Sequence, residues 1–145
     1  MRVAVEKITD KEFKAEETIP AVQWDLDSSE IKFIDTIELA CTFVRFGKEI
    51  VVDAAVVTRM IVTCGRCLDE VPRSESLKFQ FTYDSTTLGE FLEMDSDIRQ
   101  ELVLNFPMHV LCQEECKGLC AGCGVNLNHQ QCVCARDAGT RKKEQ

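Results

Sequence analysis

Cysteine residues are concentrated near the C-terminus of this 145-residue chain. Residues 112–134 read CQEECKGLCAGCGVNLNHQQCVC and hold six of the nine cysteines. In a reducing compartment, clustered cysteines are more often metal ligands than disulfide partners. An odd number of cysteines also cannot be used up by a complete set of intramolecular disulfides. The cysteine spacing therefore predicts a metal-binding segment.

Two Cys-x-x-Cys motifs carry most of this prediction. They are Cys64-Gly65-Arg66-Cys67 and Cys120-Ala121-Gly122-Cys123, and both have small residues at the bend. Two thiolates at this spacing can share one tetrahedral zinc ion at about 2.3 Å. Glycine within the turn lets backbone N–H groups face the thiolates and spread their charge. One such motif is a weak signal, but two motifs with four further cysteines nearby are a strong one.

The candidate ligands are expected to form two groups of four. The first group is local in sequence and consists of Cys120, Cys123, Cys132 and Cys134. The second group is non-local and consists of Cys64, Cys67, Cys112 and Cys116. This second group would join the start of the cysteine-rich segment to the sheet that precedes it. One or two structural zinc ions are the predicted cofactor.

Three other residues bear on this assignment. Cys41 lies on the apolar face of a predicted strand, so we interpret it as a core residue. His129 is an alternative ligand to Cys132 or Cys134, and His109 is an alternative to Cys112. Cysteine is favoured at each position because enough thiolates are available to complete both groups.

Charge and hydropathy restrict the classes of partner. The formal net charge is -8 and the sequence pI is about 4.8. An acidic surface repels phosphate, which disfavours generic electrostatic binding of nucleic acid. The N-terminal residues MRVAVEKITDKEF contain no signal-peptide h-region. The most apolar run, residues 49–64, is interrupted by Asp53 and Arg59 and is too short to span a membrane. A cytoplasmic protein is expected.

Period-two alternation of apolar residues predicts the central strands. Ile37, Leu39, Cys41 and Phe43 alternate with polar or small residues, and residues 49–63 are rich in Val and Ile. Alternation returns at Leu77, Phe79, Phe81 and Tyr83 after Pro72. Gly47-Lys48 is a predicted turn between the first two strands. Three sequential strands with short links indicate an antiparallel meander.

The remaining segments are less regular. Val3 and Val5 are expected to begin an edge strand, whereas residues 10–18 are predicted to be a loop or a short helix. Residues 84–96 are interpreted as a polar connection. Asp95, Ser96 and Asp97 offer N-cap chemistry for a helix with Ile98 and Leu102 on its apolar face, and Pro107 stops it.

The predicted fold class is α+β and mainly β. We expect an antiparallel meander sheet or partial barrel, one short helix and a C-terminal Cys-rich zinc-knuckle segment. The expected domains are a β-rich core over residues 1–110, a Cys-rich zinc-binding segment over residues 111–135, and a flexible tail over residues 136–145.

The residues do not favour an enzyme. A catalytic zinc site keeps one coordination position open, whereas a set of four cysteines closes it. The Cys64/Cys67 pair is followed by Asp69 and Glu70, whose carboxylates would raise a thiol pKa and oppose thioredoxin-like chemistry. No catalytic residue and no small-molecule substrate is predicted.

The order of segments resembles the YceD family, the bacterial large ribosomal RNA subunit accumulation proteins. The resemblance rests on VTCGRCLDEV, LKFQFTYD, DIRQELVLNFPMHVLC, CKGLCAGCGVNLN and CVC, and it covers roughly residues 35–134. It implies a ribosome-biogenesis factor that supports the synthesis, processing or stability of 23S rRNA. The same resemblance implies a functional role for Cys64 and Cys67. It implies one also for the cysteines of the C-terminal segment where the family motif matches.

Three hypotheses for the mechanism follow. The favoured one is a non-enzymatic adaptor whose acidic face binds a basic ribosomal protein or an rRNA-processing factor. The second is direct contact with 23S rRNA through Arg66, Arg73, Lys117 and the run Arg141-Lys142-Lys143. The third, from a different class, is a dithiol redox or zinc-sensing protein that uses the Cys64/Cys67 pair.

Overall fold

The computed structural model describes residues 1–107 and 109–134. The expected flexible tail over residues 136–145 and the basic run at residues 141–143 lie outside the described residues. The chain divides into two compact units. The first consists of Met1–Ile61 and Pro72–Phe106, and the second consists of Val62–Val71 and Pro107–Gln145. The predicted domain bounds stay a prediction. In the structure, Val62–Val71 belongs to the same unit as the cysteine-rich segment.

The described part of the chain is mainly β. Its strands and its one α-helix are β1 (Arg2–Ala4), β2 (Phe13–Pro20), β3 (Ile31–Phe46), β4 (Glu49–Thr63), β5 (Glu70–Asp84), β6 (Phe91–Glu93) and α1 (Asp95–Asn105). Short 3₁₀ helices cover Val5–Lys7 and Ala21–Trp24. Four strands form one sheet in the order β2-β3-β4-β5, and β1 pairs with β6 in a small second sheet. The predicted fold class is confirmed by these antiparallel sheets and the single short helix.

Both central strands predicted from the sequence are present, and burial confirms the alternation predicted for β3. The core-facing side chains of β3 are Ile37, Leu39, Cys41 and Phe43. Those of β4 are Ile50, Val52, Ala54, Val56, Thr58, Met60 and Val62. The predicted turn at Gly47-Lys48 joins the two strands, and Gly47 has a φ of 61°. Alternate residues therefore bury one continuous face, because side chains of a strand point to opposite sides.

The prediction of a loop or short helix over residues 10–18 holds for residues 10–12 but was wrong from Phe13 onward. Phe13–Pro20 is strand β2, which pairs antiparallel with β3 so that Phe13 lies opposite Phe43. Glu17 interrupts the apolar alternation on the core-facing side of β2, which hid the strand in the sequence. Its carboxylate lies 3.1 Å from the α-amino group of Met1, so an opposite charge compensates it.

Two very short strands form the second sheet. Val3 lies in β1 opposite Leu92 of β6, which confirms the expected edge strand at Val3. Val5 instead begins a 3₁₀ helix. The interpretation of residues 84–96 as a polar connection missed β6, because a three-residue strand gives almost no periodic signal.

The helix begins and ends near the predicted residues but is capped differently. Ile98 and Leu102 are fully buried, as predicted. The N-cap is Met94 and makes no side-chain cap bond, so the prediction of capping by Asp95, Ser96 or Asp97 was wrong. Asp95 and Asp97 lie in the first turn, where negative charge is favourable at the positive end of the helix dipole. Asp97 accepts a 2.6 Å hydrogen bond from the Tyr83 hydroxyl.

The connection between β4 and β5 carries the first Cys-x-x-Cys motif. β4 ends at Thr63 and β5 begins at Glu70, so residues 64–69 form the whole loop. β5 begins earlier than predicted, and Pro72 lies within it. β5 is an edge strand of its sheet, where a missing backbone N–H is tolerated. Among the described residues, no helix is both long and apolar enough to cross a membrane.

Candidate metal centres

The structure brings the eight predicted cysteines together as two groups of four sulfur atoms. The first cluster consists of Cys64, Cys67, Cys112 and Cys116, and the second of Cys120, Cys123, Cys132 and Cys134. Within each cluster, all four Sγ atoms lie within 4.8 Å of one another. This grouping of sulfur atoms is the expected one. Metal binding by these sulfur atoms stays a prediction.

The first cluster is buried. Cys64, Cys67 and Cys116 are 0%, 3% and 5% exposed, and Leu111 and Cys112 pack against them. The Sγ atoms of Cys64 and Cys116 are 3.7 Å apart, and those of Cys67 and Cys112 are 3.6 Å apart. Four ligands at about 2.3 Å from a tetrahedral zinc ion lie about 3.8 Å from one another. The first cluster therefore fits one zinc ion with all four positions filled.

The second cluster is more open to solvent. Cys123 is exposed, and the other three cysteines are partly exposed. The Cys123 and Cys132 Sγ atoms are 3.6 Å apart, and those of Cys120 and Cys132 are 3.0 Å apart. All nine cysteines lie in the described part of the chain, and none of them forms a disulfide there. Cys41 is only 2% exposed in β3, as expected for a core residue.

The first Cys-x-x-Cys turn is closed by its own backbone. Arg66 N–H points to Cys64 Sγ at 3.4 Å, and Leu68 N–H donates to the Cys64 carbonyl at 3.0 Å. Cys64 N–H in turn donates to the Asp69 carbonyl at 2.9 Å. These bonds fix the direction of the Cys64 side chain and place a backbone dipole against its sulfur.

The second turn repeats this arrangement residue for residue. Gly122 N–H points to Cys120 Sγ at 3.4 Å, and Gly124 N–H donates to the Cys120 carbonyl at 2.9 Å. Cys120 N–H donates to the Val125 carbonyl at 2.9 Å. The two turns are therefore the same local structure, although their sequences share little beyond the cysteines.

These N–H groups change the acidity of the leading thiols. Burial raises the pKa of Cys64, but hydrogen bonds from the backbone N–H groups of Cys67 and Arg66 outweigh it and bring the pKa to about 6. At Cys120, the Cys123 N–H and the Cys132 thiol lower the pKa to about 6. The first cysteine of each motif is therefore readily ionised at neutral pH.

The neighbouring thiols behave in the opposite way. Contact with the Cys123 and Cys132 thiols raises the pKa of Cys134 to about 12. In the first cluster, burial and the Cys116 side chain raise the pKa of Cys112. Four adjacent sulfurs cannot all carry negative charge without a cation to compensate them. A divalent ion such as Zn²⁺ would supply that compensation and draw all four into the thiolate form.

Two asparagines outside the cysteine motifs contact this region. Asn128 Nδ2 donates to Cys116 Sγ at 3.3 Å, and this hydrogen bond is the main reason why the pKa of Cys116 is lowered. Asn128 Oδ1 accepts from Lys117 N–H at 2.9 Å. Asn126 Nδ2 donates to Asp69 Oδ2 at 2.9 Å. Neither asparagine was predicted from the sequence. The one feature that pointed to them is the Asn126-Leu127-Asn128 motif between Cys123 and Cys132.

The histidines stand outside both clusters. His129 Nε2 lies 3.0 Å from Asp69 Oδ2, and this contact is the main reason why the pKa of Asp69 is lowered. His109 is exposed. Both four-residue groups consist of cysteine alone, so the choice of cysteine over either histidine agrees with the geometry.

The fold and the clusters define a mainly β protein with a pair of four-cysteine centres that are compatible with two metal ions. The sequence matches the model of a family described as "Large ribosomal RNA subunit accumulation protein YceD" over residues 52–144. This match includes all eight clustered cysteines. The chain therefore belongs to the YceD family, which confirms the resemblance. The printed description of this family concerns accumulation of the large ribosomal RNA subunit.

One curated relative is "Large ribosomal RNA subunit accumulation protein YCED homolog 1, chloroplastic" from Arabidopsis thaliana. It is 35% identical over 46 residues, which are 32% of this chain and 14% of the relative. The aligned segment therefore spans only a small part of that protein. No solved structure matches this chain.

Proposed function

We propose that this protein supports the accumulation of 23S rRNA as a non-enzymatic adaptor in the cytoplasm. In this proposal it binds a basic ribosomal protein or an rRNA-processing factor, and two structural zinc ions hold its cysteine-rich unit together. Membership of the YceD family is the observation that carries the role in large-subunit rRNA accumulation.

Charge favours an adaptor over a general RNA-binding protein. The formal net charge is -8, and four thiolates around each of two Zn²⁺ ions would add four further negative charges. Phosphate is repelled at long range by such a protein, whereas a basic ribosomal protein is attracted. Direct contact with rRNA would depend on local cations such as the exposed Arg66 and Lys117.

The two zinc ions are proposed on the donor chemistry. Each cluster offers four sulfur ligands within 4.8 Å of one another. In the first cluster, the separations of 3.7 and 3.6 Å are near those of a tetrahedral site. Cys64, Cys67, Cys112 and Cys116 would hold one ion, and Cys120, Cys123, Cys132 and Cys134 the other. Ligand sets closed in this way are typical of structural rather than catalytic zinc.

Burial opposes the redox alternative. Cys64 and Cys67 are 0% and 3% exposed, whereas a redox-active dithiol must reach its oxidant or its substrate. Each sulfur also has a second sulfur neighbour, Cys116 for Cys64 and Cys112 for Cys67. The pair is therefore better arranged to share a metal than to form an exchangeable disulfide.

Depletion of the protein in its host tests the proposed role. The ratio of mature 23S to 16S rRNA is measured before and after depletion, and again after the wild-type chain is restored. We expect a selective fall in 23S rRNA that the wild-type chain reverses. An unchanged ratio would refute the proposed role.

The adaptor mechanism needs a separate experiment. The zinc-loaded full chain is immobilised and offered purified basic ribosomal proteins or 23S rRNA fragments at low and high salt. We expect retention of a ribosomal protein that weakens as salt rises, because the attraction is electrostatic. Retention of rRNA alone would refute the adaptor mechanism and favour direct contact.

A further inference from the structure

The loop that joins the two halves of the second cluster reaches the first cluster. This loop, residues 124–131, lies between Cys123 and Cys132. Within it, Asn128 Nδ2 donates to the Cys116 sulfur at 3.3 Å, and Asn128 Oδ1 accepts from Lys117 N–H at 2.9 Å. A single side chain of the loop therefore holds both a candidate ligand of the first cluster and the backbone beside it.

Other hydrogen bonds keep Asn128 in this position. Its own N–H donates to Asn126 Oδ1 at 3.0 Å, and Asn126 Nδ2 donates to Asp69 Oδ2 at 2.9 Å. Leu127 N–H donates to the Gly118 carbonyl at 2.9 Å. Asp69 follows the first Cys-x-x-Cys turn by two residues, so the loop is fastened to both halves of the first cluster.

A metal ion at the second cluster would fix both ends of this loop. Joining Cys123 and Cys132 through one ion restricts the conformations of the residues between them, and Asn128 is one of those residues. A metal ion at the first cluster would fix Cys116, the sulfur to which Asn128 donates. Metal binding at either cluster therefore lowers the conformational entropy that is lost when metal binds at the other.

We propose that Asn128 is a positioning residue that couples metal binding at the two clusters, so that occupancy of either cluster raises the affinity of the other. This inference rests on the proposed binding of two metal ions. By linkage, the change in affinity is the same in both directions. Couplings of this kind commonly change an affinity by about 5- to 150-fold.

The covalent link between the clusters must be separated from the contribution of Asn128. Only three residues lie between Cys116 and Cys120, so the backbone alone also connects the two centres. A double-mutant cycle makes the separation, because it reports the part of the coupling that depends on one side chain. Gln130→Ala is the matched control, since it removes another amide side chain from the same loop.

The experiment measures the zinc affinity of the first cluster in the full chain by competition with a chromogenic chelator. Affinity is compared with the second cluster intact and with the second cluster removed by Cys120→Ser and Cys123→Ser. We expect removal to weaken zinc binding at the first cluster by at least about fivefold. In the Asn128→Ala background, the same removal should weaken zinc binding at the first cluster clearly less than in the wild-type chain. In the Gln130→Ala background, it should weaken binding as much as in the wild-type chain.

Cobalt spectra of the otherwise intact chain give a second readout that does not need a cluster to be removed. A hydrogen bond to a thiolate stabilises its charge and moves its charge-transfer band to the metal. We expect Asn128→Ala to shift the band of Co²⁺ at the first cluster, and Gln130→Ala to leave it in place. An unmoved band in Asn128→Ala would contradict the contact with the Cys116 thiolate.

Two outcomes of the affinity measurements overturn the inference at different levels. If removal of the second cluster weakens the first equally in wild-type and Asn128→Ala chains, or not at all, the coupling through Asn128 is refuted and the two metal sites remain. If the wild-type chain binds no zinc, both the metal proposal and the inference fall. Neither outcome changes the 23S rRNA experiment, which tests the cellular role separately.

Discussion

Leu68 and Gly124 occupy the same place in the two Cys-x-x-Cys turns. Each directly follows the second cysteine, donates its N–H to the carbonyl of the first, and has a left-handed backbone, with φ of 62° and 76°. Glycine adopts this conformation without steric cost, but a leucine does so at about 1–2 kcal/mol. The second turn therefore has glycine at its left-handed position, whereas the first turn has the strained Leu68 there.

We expect Leu68→Gly to stabilise the protein by about 0.5–1 kcal/mol. Relief of the left-handed strain exceeds the entropy that glycine adds to the unfolded chain. Little apolar burial is lost, because the Leu68 side chain is 61% exposed. The measurement is the midpoint of chemical denaturation of the zinc-loaded chain at fixed zinc concentration.

Gly124→Ala is the reciprocal change and should destabilise by about 1 kcal/mol. An added Cβ at Gly124 meets no described atom within 4 Å, so only the backbone conformation opposes it. A loss of stability in Leu68→Gly, or no loss in Gly124→Ala, would contradict the equivalence of the two turns.

The second cluster should release its metal before the first. Cys123 is exposed and its three partners are partly exposed, whereas three of the four cysteines in the first cluster are buried. A chelator must approach the metal and displace its ligands, so exposure sets the order of release. We expect two phases of zinc transfer to an excess of chromogenic chelator, each of about one zinc ion per chain.

Variants assign the two phases. Cys120→Ser should abolish the fast phase and lower the zinc content by about one ion per chain, while the slow phase remains. Cys64→Ser is its counterpart in the first cluster and should remove the slow phase. An unchanged zinc content in Cys120→Ser would show that the second cluster is not a metal site.

The sequence was most informative where one physical constraint repeats. Alternation predicted β3 because one face of that strand is buried along its length, and the Val and Ile content of residues 49–63 predicted β4. Cysteine spacing predicted both groups of sulfur atoms because a shared ion requires four ligands at fixed separations. In the strand and in the cysteine groups alike, one physical requirement fixes both the type of residue and its spacing.

The sequence was least informative where a contact depends on distant residues. Strand β2 was missed because Glu17 faces the core side, and only the fold shows that the Met1 α-amino group lies beside it. Asn128 was missed because an asparagine in a polar loop has no periodicity, and its role depends on Cys116, twelve residues earlier. Such contacts are set by the tertiary structure rather than by local preference.

The buried hydroxyl of Thr58 provides a test of the core. Thr58 is 1% exposed in β4, and its Oγ1 has no hydrogen-bond partner among the described residues. An unsatisfied buried hydroxyl costs about 1–3 kcal/mol, and valine has nearly the same shape. We expect Thr58→Val to raise the free energy of unfolding by about 1 kcal/mol. The exposed Thr36→Val is the control and should change it by less than about 0.5 kcal/mol.

Cys41 should make the protein less stable at alkaline pH. Burial raises the pKa of this thiol from its ordinary value of 9.0 to about 11, and the Glu17 carboxylate adds to the effect. Above pH 9 the unfolded chain loses the Cys41 proton while the folded chain keeps it. The folded state then binds more protons than the unfolded state, so stability falls as pH rises, by at most about 1.4 kcal/mol per pH unit.

The comparison that isolates this effect uses Cys41→Val. The free energy of unfolding is measured from pH 8 to pH 11 for both chains at fixed zinc concentration. Tyr83, whose pKa is raised by burial and by Asp97, contributes to the slope of both chains. We therefore expect the difference between the two slopes to appear above pH 9 and to level off near pH 11. Parallel curves over this range would mean that the Cys41 thiol is not shielded from solvent in the folded protein.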